Sequence, residues 1–193
     1  MSRLLVPAAL ISLAAPVAAE PFVYEIDPSH TVVSFFVDHV GYARVLGVFP
    51  EVSSSFTYDM EDRTLSNVEI RVGAASVETF DDARDEHVRA ADFLDVAAFP
   101  EMTFTAEGGR STGETTGIVE GELTLLSETR PLTLEVTLNK AEAYPFGHGR
   151  FTLGLSANAT VRRSEYGMTY AVENGLVGDE VQVIIETEAL RQE

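Results

Sequence analysis

The sequence predicts an all-β protein, a single antiparallel β-barrel of about eight strands with one short helix over a barrel end. From Tyr24 onward, apolar and polar residues alternate with a period of two in one segment after another, as in strands with one buried face. Turn residues separate these segments, and helical periodicity is nearly absent. Eight antiparallel strands can close on themselves, which removes exposed edges and leaves an interior for side chains or one slender ligand.

The clearest strand covers residues 31–39. Val33, Phe35, Val37 and His39 share one face of it, because successive side chains of a strand point to opposite sides. The same alternation predicts the inward rows of the later strands: Val68, Ile70 and Val72; Met102 and Phe104; Leu123 and Leu125; Leu132, Leu134, Val136 and Leu138; Phe151, Leu153, Leu155, Ala157, Ala159 and Val161; Val181, Val183 and Ile185.

Residues 82–91 are the one helical candidate, because acidic residues lead the first turn, where the helix dipole favours them. The carboxylates of this stretch are expected to pair with its two arginines at three- or four-residue spacing. We expect the helix to lie across a barrel end and to pack Phe93 and Phe99 there, as plugs or as a lid. Residues 108–117 are interpreted as a polar hairpin tip with no further role.

The N-terminus has the three parts of a secretory signal. Arg3 supplies the positive region, residues 4–15 the apolar run, and residues 17–19 the small-residue cleavage site. The apolar run is shorter than the roughly 20 residues that a spanning helix needs. The sequence therefore predicts a cleaved signal peptide over residues 1–19, one barrel domain over 20–193, and a soluble periplasmic product that does not span the membrane.

Composition excludes several functions. The formal charge is −18, from 31 acidic and 13 basic residues, which argues against nucleic acid and anionic membrane surfaces as partners. Because the acids are spread along the chain, solubility is the simplest explanation of the charge. The chain has no cysteine, so disulfides, a thiol nucleophile and thiolate metal sites are excluded, and the fold must depend on packing and the sheet.

Several segments, in their order and spacing, resemble the YceI-like family of bacterial polyisoprenoid-binding proteins. They are YEIDPSHTVVSFFVDHVGYARVLGVF, SVETFDDARDEHVRAADFLDVAAFPEMTF, VEGELTLLSETRPLTLEV, RRSEYGM and VGDEVQVIIE. The resemblance implies a lipocalin-like barrel with a lipid tail threaded along its axis, in a periplasmic protein. One departure is Ser127, which occupies a position where the family pattern has glycine, so that turn contains a strained left-handed residue or belongs to another type.

With this resemblance, the inward rows are expected to line a lumen for an isoprenoid lipid, such as a quinone or a polyprenol. The net charge favours a neutral head group over a pyrophosphate. The alternative from pattern alone is a core filled by the same side chains. The candidate ligand-binding residues are Val33, Phe35, Val37, His39, Phe49, Ile70, Val72, Phe93, Met102, Phe104, Leu123, Leu125, Leu134, Val136, Leu155, Ala157, Ala159 and Arg163.

Polar candidates are few. His39 is expected at the inner end of its row, as a core histidine or a contact to a ligand head group. Arg163 either lies at a barrel mouth or ties its segment down through a carboxylate or carbonyls. No catalytic or metal-binding set is predicted, because no zinc-type histidine spacing, nucleophile elbow or phosphate-binding glycine pattern occurs. No cofactor is expected beyond the lipid. A homodimer and an enzyme acting on a hydrophobic substrate stay open.

Overall fold

The computed structural model describes residues 21–193, which contain ten antiparallel strand segments, one α-helix and three short 3₁₀ turns. The strands are β1 (Phe22–Ile26), β2 (Val32–His39), β3 (Ala43–Phe49), β4 (Val52–Asp59), β5 (Thr64–Gly73), β6 (Glu101–Ser111), β7 (Thr116–Leu125), β8 (Glu128–Ala143), β9 (Phe151–Arg162) and β10 (Val177–Arg191). The helix is α1 (Asp82–Arg89), and the 3₁₀ turns are Pro28–His30, Ala74–Ser76 and Arg163–Tyr166.

Eight strands close the barrel. β4 to β10 pair in chain order, and β1 completes the circle by pairing with both β4 and β10. β2 continues the wall beside β10, since Ile26 of β1 is paired with Ala189 and Val32 of β2 with Glu186. β1 and β2 therefore form one strand position of the barrel, which the turn Pro28–His30 interrupts. β3 pairs with β2 and leads directly into β4. The predicted all-β barrel of about eight strands with one short helix is confirmed.

Two turns differ from their sequence-based interpretation. The predicted hairpin tip at 108–117 is shorter, because β6 continues to Ser111 and β7 begins at Thr116. At the β7–β8 turn the left-handed residue is Leu126, with φ 54°, rather than Ser127. Leu126 packs against the hydrophobic core. The β7–β8 turn therefore differs in type from the glycine-containing turn of the family pattern. This is the second of the two alternatives given above for Ser127.

α1 is held by contacts to the chain before it rather than by ion pairs within the helix. Asp81 caps its N-terminus by accepting from the backbone N–H of Arg84 at 2.9 Å. The Arg84 and Arg89 side chains donate to backbone carbonyls of Thr79, Ala75 and Val77. The expectation that these arginines pair with helix carboxylates is wrong, because the carbonyls of the preceding segment lie within their reach.

The predicted signal peptide at residues 1–19 lies outside the described residues. Within residues 21–193, no helix has the length and apolar character that crossing a bilayer requires.

Candidate ligand-binding lumen

The barrel interior contains two cavities. The helix-side chamber, of about 190 Å³, lies beneath Val88 of α1 and the following residues Phe93 and Leu94. The turn-side chamber, of about 170 Å³, extends to the β4–β5 and β6–β7 turns. Ile70, Leu134 and Ile185 line both chambers and form what we call the waist. The inward side chains therefore leave space along the barrel instead of filling it.

Most of the predicted site residues lie on this lumen. The helix-side chamber is lined by Val33, Phe35, Val37, Phe49, Ile70, Val72, Phe93, Met102, Phe104, Leu123, Leu125, Leu134 and Arg163. The turn-side chamber is lined by Val136, Leu155 and Ala157, together with Ile70 and Leu134 of the waist.

Three residues are placed differently from the sequence-based expectation. His39 is exposed and lies outside both chambers, because the β2–β3 hairpin continues past the lumen to the pair His39–Ala43. Ala159 packs against a core cluster without lining a chamber. Phe99, predicted beside Phe93 at the barrel end, is half-buried and lines neither chamber, and the buried residue there is Leu94.

Sequence reasoning missed part of the wall. Val52, Ser54, Phe56 and Tyr58 of β4 line the turn-side chamber, but their alternation is masked because Ser54 places a polar residue in the inward row. Other residues of the predicted inward rows also line the lumen, although they are not among the candidate ligand-binding residues: Val68, Leu132, Leu138, Leu153, Val161, Val181, Val183 and Ile185. Residues 109–111 and 114–117, which belong to the segment interpreted as a hairpin tip alone, also contribute to the turn-side chamber.

Arg163 borders the helix-side chamber but uses its donors for the protein. The residue is 2% exposed. Its guanidinium donates to four backbone carbonyls, those of Met168, Tyr170, Val177 and Gly178, at 2.7 to 2.9 Å. Burial lowers the pKa of Arg163, and the charge of Asp179 acts in the opposite direction. Of the two roles predicted for Arg163, the structure shows the one that ties its segment down.

Aromatic rings close the helix-side end. Phe93 lines the chamber, and its ring lies 5.0 Å from His87 and 5.2 Å from Tyr170, centroid to centroid. The Arg163 guanidinium carbon lies 5.7 Å from the centre of the Phe93 ring. His87 is also within 3.2 Å of Asp92. The walls of this chamber present no polar surface.

The turn-side end is polar. Arg63, Arg110 and Glu114 line its mouth, and all three residues are exposed. The Arg63 guanidinium donates to the backbone oxygen of Glu114 at 3.4 Å, a long contact. Burial raises the pKa of the nearby Tyr58 hydroxyl, and the charge of Arg63 offsets part of this increase. Tyr58 is therefore neutral at physiological pH and able to donate a hydrogen bond.

A close contact in β3 keeps the helix-side chamber open. Gly47 is paired with Phe35, and a Cβ atom at Gly47 would lie 2.2 Å from the Phe35 ring. The outer edge of the Phe35 ring therefore occupies the space that a side chain at position 47 would need. A larger residue at Gly47 would push the ring toward the space that it borders.

Asp27, His30 and Glu188 form one group of potential metal ligands within the described part of the chain. The His30 ring nitrogen Nδ1 lies 3.0 Å from Asp27 and 3.6 Å from Glu188. Asp27 already accepts from the Ser29 backbone N–H at 2.9 Å and from the Ser29 hydroxyl at 2.6 Å. These bonds explain the group as a cap of the interruption between β1 and β2.

A closed antiparallel barrel with an apolar lumen of this width defines a class of protein that can enclose one slender ligand. The chain belongs to the YceI-like domain family, whose model matches residues 24–189. The protein YceI of Salmonella arizonae is 34% identical over 185 residues, which cover 95% of this chain and 93% of the relative.

Solved structures share the fold. The Campylobacter jejuni YCEI protein matches with a TM-score of 0.73 at 25% identity, over 81% of this chain and 90% of that protein. Burkholderia cenocepacia BcnA matches with a TM-score of 0.73 at 20% identity, over 84% of this chain and 98% of BcnA. A polyisoprenoid binding domain from Saccharophagus degradans, implicated in plant cell wall breakdown, matches with a TM-score of 0.65 at 15% identity. The match covers 89% of this chain and 99% of that domain. The last two similarities establish the common architecture alone.

Proposed function

We propose that this protein binds one long-chain isoprenoid lipid, a quinone or a polyprenol-like molecule, inside its barrel and acts as a periplasmic carrier rather than as an enzyme. The observation that carries the proposal is the pair of apolar chambers that meet at the waist. Together the chambers reach the lower end of the roughly 300–1,000 Å³ typical of ligand pockets. The polyisoprenoid binding domain with the same fold supports the choice of lipid.

Burial of an apolar tail supplies the driving force. At about 0.8 kcal/mol for each buried methylene, one five-carbon isoprene unit contributes roughly 4 kcal/mol before the costs of ordering the tail and the protein are deducted. A few units therefore suffice for tight binding. Since the lumen is narrow and elongated, a single linear chain whose only branches are methyl groups fits it better than a bulky ring system.

The chemistry of the helix-side walls favours a carrier over an enzyme. The ionisable side chain of the helix-side chamber is Arg163, whose guanidinium is engaged with backbone carbonyls. His39, the histidine that the sequence suggested for the lumen, is exposed. An enzyme would need an acid, a base or a nucleophile directed at the ligand. A carrier needs only an apolar interior and a way in.

The periplasmic assignment rests on the N-terminal signal pattern of residues 1–19. We expect protein from the periplasmic fraction of the source organism to begin near Glu20, as measured by intact-mass spectrometry. A protein recovered with Met1 still attached would overturn the assignment. That result would leave the lipid-binding proposal unaffected.

Organic extraction followed by mass spectrometry tests the binding proposal. The protein is purified from the periplasm of its own host, beside a heat-denatured sample and an unrelated periplasmic protein. We expect an isoprenoid at close to one molecule per chain in the native sample. None is expected in the unrelated protein, or in the heat-denatured protein once it has been separated from released lipid before extraction. A lipid-free protein whose melting temperature does not change on addition of quinones would overturn the proposal.

A further inference from the structure

The two ends of the lumen differ in polarity. At the helix-side end, Phe93 and Leu94 close a chamber whose walls present no polar surface. At the turn-side end, charged and hydroxyl side chains surround the mouth. A lipid with a polar head and an apolar tail would leave unpaired polar atoms in a dry chamber if its head entered the helix side first. The lumen is therefore suited to one orientation of such a ligand.

The donors at the turn-side mouth are available to a ligand. The Arg63 guanidinium contacts a backbone carbonyl at 3.4 Å. Arg71, Arg130 and Arg162 form salt bridges with glutamates, whereas the Arg110 guanidinium forms none within residues 21–193. The other arginines of residues 21–193 that form no salt bridge donate to a hydrogen-bond acceptor or stack on an aromatic ring, whereas the Arg110 guanidinium has no such partner there.

We infer that the ligand lies with an oxygen-bearing head group at the turn-side mouth, against Arg63, Arg110 and the Tyr58 hydroxyl, and that its tail passes the waist to end beneath Phe93. This inference rests on the proposed lipid-binding function and specifies how the lipid is oriented. All three side chains are hydrogen-bond donors, so the recognised feature is an acceptor oxygen, such as a quinone carbonyl.

The local charge indicates the class of head group. Two arginines and Glu114 line the mouth, so its formal charge is close to +1. This charge is enough to polarise a carbonyl or a hydroxyl oxygen, but the whole chain carries −18 and opposes a multiply charged pyrophosphate. Neutral heads are therefore expected to bind with little salt dependence, and a pyrophosphate only at low ionic strength.

The absence of tryptophan from the chain provides a direct test of orientation. Single reporters are placed at the two ends: Thr116→Trp at the turn-side mouth, and Phe93→Trp or Tyr170→Trp at the helix-side end. The probe is a benzoquinone carrying three isoprene units, because a quinone ring quenches indole fluorescence at short range. Melting temperatures of the variants verify that each one folds.

We expect saturating quinone to quench Thr116→Trp several-fold more strongly than either helix-side reporter. Stronger quenching of Phe93→Trp and Tyr170→Trp, or equal quenching at both ends, would overturn the orientation while leaving lipid binding intact. If the quinone quenches no reporter and raises no melting temperature, the proposed function itself fails.

Removal of the arginines separates head recognition from tail burial. The double variant Arg63→Gln, Arg110→Gln is titrated with the same quinone and with squalene, an isoprenoid hydrocarbon without a head group. We expect quinone affinity to fall about fivefold to tenfold, as for the loss of two exposed hydrogen bonds, with squalene affinity unchanged. Arg162→Gln, which removes an outer salt bridge to Glu180, is the matched control. Equal losses for the two probes, or none for either, would overturn the role of the arginines.

Discussion

The helix-side and turn-side chambers are similar in volume, about 190 and 170 Å³, but use their arginines in opposite ways. On the helix side, Arg163 is buried and donates to four backbone carbonyls. On the turn side, Arg63 and Arg110 are exposed at the mouth. Arg163 is therefore structural, because four carbonyls of its own chain occupy its donors. Arg63 has one long contact to a carbonyl and Arg110 has no partner within residues 21–193, so their donors can serve a ligand.

Loss of Arg163 is expected to lower the free energy of unfolding far more than loss of its neighbour Arg162. Arg163→Gln leaves several buried carbonyls without donors, so we expect the free energy of unfolding to fall by about 3 kcal/mol or more. Arg162→Gln removes an exposed pair with Glu180 and is expected to cost about 1 kcal/mol or less. Urea unfolding of the two variants measures the difference. Equal losses would contradict the structural role of Arg163.

A second prediction concerns the size of each chamber. Val183→Phe adds bulk to the helix-side chamber, and Ala157→Phe adds bulk to the turn-side chamber. If the tail ends on the helix side, Val183→Phe weakens long-tailed quinones about tenfold and spares one with a single isoprene unit, whereas Ala157→Phe weakens both.

The control for these variants is Thr160→Phe, at an exposed position of the same strand as Ala157. Fluorescence titration of the two quinones with each variant gives the affinities. Loss of the short quinone in Val183→Phe, with retention in Ala157→Phe, would show that the head lies on the helix side.

The smallest effect concerns the interruption between β1 and β2, near the outer wall of the turn-side chamber. Hydrogen bonds from Ser29 and His30 lower the pKa of Asp27 from 3.8 to about 2, so its contribution to stability is present above about pH 4 and is lost toward pH 2. The bond to Asp27 and the charge of Glu188 raise the pKa of His30 above 6.5. Its contribution is therefore complete below that pH and decreases as the pH rises through the raised value.

We accordingly expect Asp27→Asn to lower the melting temperature most between about pH 4 and 6.5 and to approach the unmodified protein toward pH 2. Thermal unfolding across this range, with the exposed Asp62→Asn as control, measures the difference. A melting-temperature difference that stays constant from pH 2 to pH 8 would show that the capping bonds of Asp27 do not depend on its charge.

The strands could be predicted from the sequence wherever one face is apolar without interruption. Leu132, Leu134, Val136 and Leu138 show such a row, and the structure places it in β8. β4 was missed because Ser54 interrupts its inward row between Val52 and Phe56. The prediction that His39 points into the lumen was wrong. Alternation shows which face of a strand a side chain lies on, but not where along the barrel axis the lumen ends.

The polar mouth could not be predicted because it depends on topology. Arg63 and Arg110 lie 47 residues apart in the chain, on the β4–β5 turn and near the end of β6. They line one mouth because β5 and β6 pair so that Leu65 is opposite Gly109. The available sequence signal was the excess of 31 acidic over 13 basic residues, which marks each basic residue as a candidate without indicating which of them lie close together.

The two chambers are expected to form one lumen that a single tail crosses at the waist. Ile185→Phe and Ile184→Phe test this expectation, because these adjacent isoleucines of β10 are alike except that Ile185 lines both chambers and Ile184 lines neither. Titration with a quinone carrying several isoprene units is expected to show binding of one molecule per chain, weakened tenfold or more by Ile185→Phe and nearly unchanged in Ile184→Phe. Equal affinities for the two variants would show that no tail passes the waist.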